Sequence, residues 1–457
     1  MALQSPMVPT TPLAQIRAGI DPAGAGAEIH ALMQQLYPIC RSITGDGFRQ
    51  TMARLQQEIP LEVREVPSGT QVFDWTVPRE WNIRDAYVKN ARGERVIDFQ
   101  RHNLHVMSYS VPVHATMPLQ ALRPHLHTLP EQPDLIPYRT SYYQEAWGFC
   151  LPHRQFEQMP DGEYEVCIDS TLQPGHLSYG ECLVKGASAQ EVLVSCHACH
   201  PSLCNDNLSG VAVAAFLAKA MQGLPLRYSY RFLFVPGTIG SITWLALNEA
   251  RARECIRHGL VLTCIGDRAN FSYKKSRRGD AEIDRAVQHV LRHAAPGHAT
   301  LEFSPYGYDE RQYCSPGFNL PVGCLMRSHH GQFSEYHTSA DNLDFVDPRA
   351  LAASAEVILS VFDVLEHNRG YVSRNPNCEP QLGKRGLYSV TGGSGIKQIE
   401  MAMLWVLNLS DGGYSLLDIA ERSGLAFDAV NAAAAILLQH ELLMPAPADE
   451  SRTTQRS

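Results

Sequence analysis

Through the middle of the chain, short apolar runs alternate with longer stretches whose apolar residues recur at helical spacing. The runs Glu191–Ser195 (EVLVS), Tyr228–Val235, Gly259–Ile265 and Val322–Met326 are β-branched or aromatic and too short for ordinary helices, so they predict buried strands. Residues 208–222, 241–258, 282–293 and 348–367 carry the helical period. Strand and helix in turn predict an α/β fold with a mostly parallel sheet flanked by helices. Ahead of it, Ile29, Leu32, Met33 and Leu36 share one helical face, and residues 48–55 continue helically after the Gly45-Asp46-Gly47 turn.

Two regions break this rhythm. From Val66 to Leu151 the chain turns to alternating, aromatic and Pro-punctuated segments such as Gln71–Pro78 and Asn103–Val111, which predict a small β-rich insert. The α/β domain is then discontinuous, over 1–65 and 152–374. After a Pro-, Asn- and Gly-bearing linker from Asn375 to Gly395, helical periods at 396–407, 415–423 and 426–440 precede Glu441-Leu442-Leu443, the start of a wing. That outline predicts a winged helix-turn-helix domain within 375–457.

Composition narrows the function classes. At 457 residues, with 44% hydrophobic and 19% charged residues, the chain is long enough for two or three globular domains. Its net charge of −8 argues against general binding to nucleic acid or anionic membranes. The predicted recognition helix, Phe427–His440, contains no Lys or Arg, the residues on which phosphate contact and guanine readout depend. Protein contact or homo-oligomerisation is therefore the expected role of this domain. Residues 1–11 lack the basic-then-apolar order of a signal peptide, and no apolar run is long enough to span a bilayer. A cytoplasmic location is expected, with the twelve cysteines as thiols or metal-associated groups and not a disulfide framework.

The candidate chemistry begins where EVLVS runs into Cys196-His197-Ala198-Cys199-His200-Pro201-Ser202-Leu203-Cys204-Asn205-Asp206-Asn207-Leu208-Ser209-Gly210. This order sets His and Asp at a strand's carboxyl end, where open α/β sheets bind ligands. A further histidine arrives in Glu335-Tyr336-His337-Thr338-Ser339-Ala340-Asp341. A catalytic zinc ion needs about three protein ligands and an open position, and His200, Asp206 and His337 supply that number. The plainer alternative is a helix-capping Asp206 beside ordinary loop histidines. Cys196-His197-Ala198-Cys199-His200 also fits a haem-attachment pattern, but it ends a buried strand and no export signal precedes it. No second matched pair completes a four-cysteine zinc site with Cys204, so buried thiols are expected there.

These motifs resemble those of the zinc-dependent aminopeptidase superfamily that includes glutaminyl cyclases. More closely, the whole chain resembles a bacterial group with an aminopeptidase-like domain, a β-rich insert and a C-terminal winged helix, often linked to surface-polysaccharide gene clusters. Cys199-His200-Pro201-Ser202, Asn205–Gly210, Asp309-Glu310-Arg311-Gln312-Tyr313-Cys314-Ser315-Pro316-Gly317 and Glu335–Ser339 carry the resemblance. It implies a zinc-aminopeptidase-like fold, His200 as first metal histidine, Asp206 as the carboxylate shared between metals, and His337 as last metal histidine; His197 is the rival for the first position, because the superfamily's histidine lies at the strand end and two occur here.

The chain departs from that pattern at two places. A glutamate pair should follow the next strand, supplying a base and a ligand, but Pro236-Gly237-Thr238-Ile239-Gly240 stands there. The later metal aspartate is also out of register: Thr263 and Cys264 occupy its place and Asp267 is the nearest carboxylate. Glu310, or else Asp309, is expected to replace the base, because that group must reach the water the metal activates. Arg311, Tyr313 and Arg278 are the expected substrate contacts. The basic run 271–278 is either an anion-holding loop or a solvated one. Tyr138, Tyr142, Tyr143 and Trp147, with Arg139, either roof the pocket or form the insert's core. The expected function is metal-dependent hydrolysis of an amide or peptide bond in a small substrate. The alternative is a non-catalytic scaffold that has lost the glutamate pair, while the acidic terminal domain disfavours a transcriptional regulator.

Overall fold

A computed structural model describes residues 11–387 and 397–447. Residues 1–10, most of the segment read for a signal peptide, and residues 388–395 of the expected linker lie outside the described residues. The chain divides into two compact units. The larger comprises residues 20–284 and 297–356, and the smaller comprises the described parts of 1–19, 285–296 and 357–457. Among the described residues, no helix is long and apolar enough to cross a membrane.

The larger unit is built on an eight-stranded sheet. Its strand order is Glu62–Pro67, His176–Val184, Ser229–Val235, Glu191–His197, Ile256–Leu262, Val322–Met326, Ser272–Lys274 and Ala299–Leu301. The four strands from Ser229–Val235 to Val322–Met326 run parallel. Every residue of Glu191–His197 and Ser229–Val235 is buried, which is why these segments read as unbroken apolar runs. The central strand continues past Ser195, with Cys196 and His197 held in the ladder opposite Phe234 and Val235. The strand expected over 259–265 instead occupies Ile256–Leu262, because Cys264 takes a φ of 48° that no strand residue adopts. The helix expected over 241–258 is two, Ile239–Leu247 and Glu249–Cys255, broken at Asn248.

The insert extends beyond its expected boundary at 151. Its four-stranded antiparallel sheet has the order Arg95–Asp98, Glu80–Lys89, Glu163–Gln173 and Val113–Pro118. Along Glu163–Gln173, Tyr164, Val166 and Ile168 point into a core with Ala86, Val88 and Ile97, while the alternate residues remain accessible. One solvated face hid this strand from a search for continuous apolar runs.

In the smaller unit, helices Gln398–Leu409, Leu416–Ser423 and Phe427–Gln439 accompany an antiparallel sheet ordered Asp411–Ser415, Gly370–Ser373 and Leu443–Pro445. The winged helix thus opens at Gly370, ahead of the expected boundary at 375. The Ser415 hydroxyl accepts from the Asp418 amide to begin the second helix, and Gly424 at φ 71° ends it.

Candidate metal centre and its cavity

The segment Asn205-Asp206-Asn207 is fixed by bonds from each of its side chains and from its backbone. Asn205 Nδ2 donates to Asp267 Oδ2 at 2.7 Å, and its Oδ1 accepts from the Gly266 amide at 2.9 Å. Asn207 Nδ2 donates to the Leu262 carbonyl at 2.9 Å, tying the turn to the neighbouring strand end. Asp341 accepts from the amides of Asn205 and Asp206 at 2.5 and 2.9 Å. Gly210 is required at the helix entry, since a Cβ there would lie 2.5 Å from the Leu262 carbonyl oxygen. Asp267, the carboxylate nearest the expected metal aspartate, therefore braces Asn205 instead of joining the metal-type cluster.

With its backbone so held, the fully buried Asp206 carboxylate becomes the meeting point of three histidines. His197 Nε2 lies 2.8 Å from Oδ1, while His200 Nδ1 and His337 Nε2 lie 3.2 and 3.0 Å from Oδ2. Ligand atoms of His197, His200 and Asp206 all fall within 4.8 Å of one another. Both rival histidines are thus at the cluster, and His337 reaches the same carboxylate from the far loop. Burial works against the charged Asp206, but His200 and His197 outweigh it and hold the carboxyl well below its usual range. For His200, burial favours the neutral ring, yet the Asp206 charge raises its pKa. Burial prevails at His337, whose pKa is lowered.

The imidazoles are oriented by aromatic contacts, of which the sequence singled out only Tyr138, within its aromatic set. Tyr308 stacks on His197 at 4.9 Å, and Tyr336 stacks on His337 at 3.9 Å between centroids. Tyr138, from the insert, packs against His200 and His337 at 5.1 and 5.2 Å. Its backbone amide donates to the His337 carbonyl at 2.8 Å, and the Ser339 amide donates to the Ile136 carbonyl at 2.9 Å. The insert therefore clips the loop that carries His337. Arg41 Nε donates to the His200 carbonyl at 3.0 Å. Besides Tyr138, only Asp341 and Tyr336, inside the quoted His337 motif, carried a local sequence signal.

A cavity of about 340 Å³ opens beside the cluster, lined among others by His197, His200, His337, Thr238, Asp309 and Arg311. Tyr142 and Tyr143 also line it, whereas Trp147 stacks on His125 and Arg139 is exposed. The roof reading thus holds for part of that aromatic set. Gly237 and Thr238 stand where the glutamate pair was missed, and a Cβ on Gly237 would sit 3.6 Å from His197 Cβ. Asp309 meets the same turn: its Oδ1 accepts from the Thr238 amide at 2.7 Å and from Ser241 Oγ at 3.0 Å. Burial raises the Asp309 pKa, opposed chiefly by His197. Thr238, Cys264 and His337 all have positive φ, at 63°, 48° and 55°, so backbone strain is concentrated around the site.

Three expectations are corrected by the geometry, and one of two open readings is excluded. Glu310, expected first as the base, does not line the cavity; it is buried against Lys274, with Nζ to Oε1 at 2.7 Å. A side chain one residue further round a short helix, Glu310–Tyr313, points away from its neighbour Asp309. Tyr313 is buried, its hydroxyl 2.8 Å from Ser195 Oγ. Arg278 is exposed and donates to the Asn319 carbonyl at 2.9 Å. The run 271–278 is not an anion-holding loop at this cavity: Lys274 pairs with Glu310, Lys275 with Glu302, and Arg277 bonds Asn319.

A family model described as a domain of unknown function, DUF4910, matches residues 30–368, and a second, described as winged helix-turn-helix, matches 369–445. The chain belongs to the DUF4910 family. A Clostridium acetobutylicum relative with the provisional name of polysaccharide biosynthesis protein with aminopeptidase-like domain is 56% identical over 419 residues, covering 92% of this chain and 96% of its own. A crystal structure from the same organism, provisionally described as a peptidase, is 53% identical with a TM-score of 0.90 and covers 95% of this chain and 100% of its own. The zinc aminopeptidase BSAP from Bacillus subtilis is 11% identical, with a TM-score of 0.54 over 75% of this chain and 95% of its own. At that identity the likeness establishes the fold, which in this DUF4910 protein is aminopeptidase-like.

Proposed function

We propose that this protein is a metal-dependent hydrolase of the aminopeptidase type, cleaving an amide or peptide bond in a small substrate with zinc as its cofactor. The observation that carries the reading is the convergence of His197, His200 and His337 on one buried carboxylate beside a cavity that also presents Asp309. Imidazole nitrogen and carboxylate oxygen are the donor set zinc prefers. His197 Nε2 faces Asp206 while its Nδ1, across the ring, is buried without a hydrogen-bond partner among the described residues. Asp206 with His200 and His337 would hold the ion, and His197 faces the other carboxylate oxygen. A bound zinc ion would supply Lewis acidity toward the substrate carbonyl.

The chain's own residues supply the rest. Both protein donors to Asp309 reach Oδ1, leaving Oδ2 without a protein partner among the described residues. Asp309 takes a proton from the attacking water and returns it to the departing nitrogen, a role helped by burial, which raises its carboxyl pKa above the usual value. A cavity of about 340 Å³ suits a small molecule. The names of the Clostridium acetobutylicum relatives point the same way. Twelve free cysteines suit a reducing, cytoplasmic compartment.

One observation favours the non-catalytic scaffold: Gly237 and Thr238 can neither ligate a second ion nor accept a proton. Metal content and turnover of acetyl-amino-acid and dipeptide substrates, measured on one preparation, separate the readings. About one zinc per chain with Asp309-dependent hydrolysis supports the enzyme; a metal-free, inactive protein supports the scaffold.

A further inference from the structure

The cavity contains a cation that forms no ion pair among the described residues, its charge reaching Asp309 only through space. Arg311 lines it, and the partner its guanidinium reaches is neutral: Nη2 donates to Thr238 Oγ1 at 3.2 Å. Its Nε is buried with no hydrogen-bond partner, and Arg311 makes no ion pair among the described residues. Neighbouring cations are engaged elsewhere, with Lys274 on Glu310 and Lys275 on Glu302. Asp309 precedes Arg311 on the same short segment, but its bonded oxygen is turned to the Thr238 amide and Ser241. Leaving guanidinium donors unsatisfied in a partly desolvated site is unfavourable, and an oxyanion matches their planar fork.

We infer that Arg311 makes this cavity selective for amides that carry an oxyanion, a carboxylate or a phosphate, close to the scissile bond; this rests on the hydrolase reading above and names its substrate class. The same charge disfavours a substrate whose free ammonium group would lie beside it, which is the usual aminopeptidase substrate. Exposed aromatic side chains at the mouth, Trp75 and Tyr143, are paired edge to face at 5.4 Å and offer an apolar surface for the remainder of the ligand. N-Acyl amino acids combine the two features.

The test is equilibrium binding of three probes to the full chain as purified: N-acetylphenylalanine, its uncharged carboxamide, and the corresponding phosphonate. Metal content is matched between wild type, Arg311→Gln and Arg311→Lys, so attraction of anions to the metal is common to all. Wild type should bind at least one anionic probe about 10-fold or more tighter than the carboxamide, the scale of one charge-assisted contact. Arg311→Gln should bring all three within about 3-fold, and Arg311→Lys should keep part of the preference. Whether carboxylate or phosphonate binds more tightly identifies the oxyanion. Equal binding of acid and carboxamide, an acid preference surviving in a folded Arg311→Gln, or no binding of any probe overturns the inference. Hydrolysis of the bound amides is followed in the same samples. Arg311-dependent binding without hydrolysis removes the hydrolase reading alone, and hydrolysis without oxyanion preference removes this inference alone.

Discussion

Asp309 Oδ1 accepts a hydrogen bond from the Thr238 backbone amide at 2.7 Å, so a carboxylate from one segment stands against the turn that lacks carboxylates of its own. Functional groups at such sites need a position in space more than a position in sequence. Asp309→Asn keeps the size and the bond from Thr238 but removes the proposed base. Turnover should fall by about 10²-fold or more with metal content unchanged. Steady-state rates on metal-quantified protein check this, and an undiminished rate assigns the base elsewhere.

Glu310→Gln should act on stability. It leaves the Lys274 ammonium buried beside an uncharged partner, and breaking a buried pair from one side costs about 3–5 kcal/mol. The retained hydrogen-bond acceptor puts this variant at the lower end. Replacing both partners, as Lys274→Met with Glu310→Leu, should recover most of the loss, because the lone charge is gone. Urea midpoints of the three variants decide it; a single substitution as stable as wild type would show that the pair is not the counter-charge described here.

The fold was legible where packing imposes a simple period. The strand Val322–Met326 and the helix Pro348–His367 agree with their expected limits because full burial leaves continuous apolar runs or an unbroken helical face. The cluster was legible because local order sets His200 and Asp206 at a strand end, and a zinc site's need for a third ligand pointed to His337, which the resemblance then matched. The order of preference between Glu310 and Asp309 was not legible for a physical reason: they are adjacent carboxylates, and only the direction of a short helix decides which one meets the cavity. Tyr138 was legible only as one of an aromatic set that either roofs the pocket or fills the insert's core, since its packing on His200 and His337 joins residues far apart in sequence.

Metal should be held jointly from both sides of that long-range contact. His200→Ala, His337→Ala and Asp206→Ala should each lower zinc content in elemental analysis of protein purified without chelator. Tyr138→Ala should also weaken retention by removing the ring packed on His200 and His337, whereas Tyr138→Phe should keep most of it. Chelation should lower the melting temperature of wild type, since an ion bound only by the folded state stabilises by about 4 kcal/mol at a thousand times its Kd. Full zinc occupancy in both the His200→Ala and His337→Ala variants would remove the ligand assignment.

Acid sensitivity should arise in part from His289, on the helix Glu282–Ala294. The ring is 2% exposed, both its nitrogens lack partners among the described residues, and burial, aided by His293, lowers its pKa to about 4. The unfolded chain binds this proton near pH 6.5, before the folded one does. Stability from the neutral ring is therefore complete above pH 6.5 and is lost as pH falls toward 4, by up to about 3 kcal/mol. His289→Leu should flatten that limb of the stability curve, read from urea midpoints between pH 7 and 4. An unchanged slope would mean that the ring gains a proton at the same pH in both states.

The winged helix should not bind duplex DNA. Non-specific affinity comes from basic side chains that displace counterions from phosphates, and Phe427–Gln439 presents none. At the start of that helix, Asp428 is engaged by Arg17 at 2.5 Å, and on the preceding helix Asp418 and Glu421 are held by Arg285. These acidic groups would face phosphates with like charge even if their arginines were released. Fluorescence anisotropy of a labelled duplex with the full chain, at 50 and 200 mM salt, should show no saturable binding at micromolar protein. Salt-sensitive micromolar binding would restore a nucleic-acid role, and its loss on charge reversal at Arg422, the basic residue at the end of Leu416–Ser423, would assign that role to this domain.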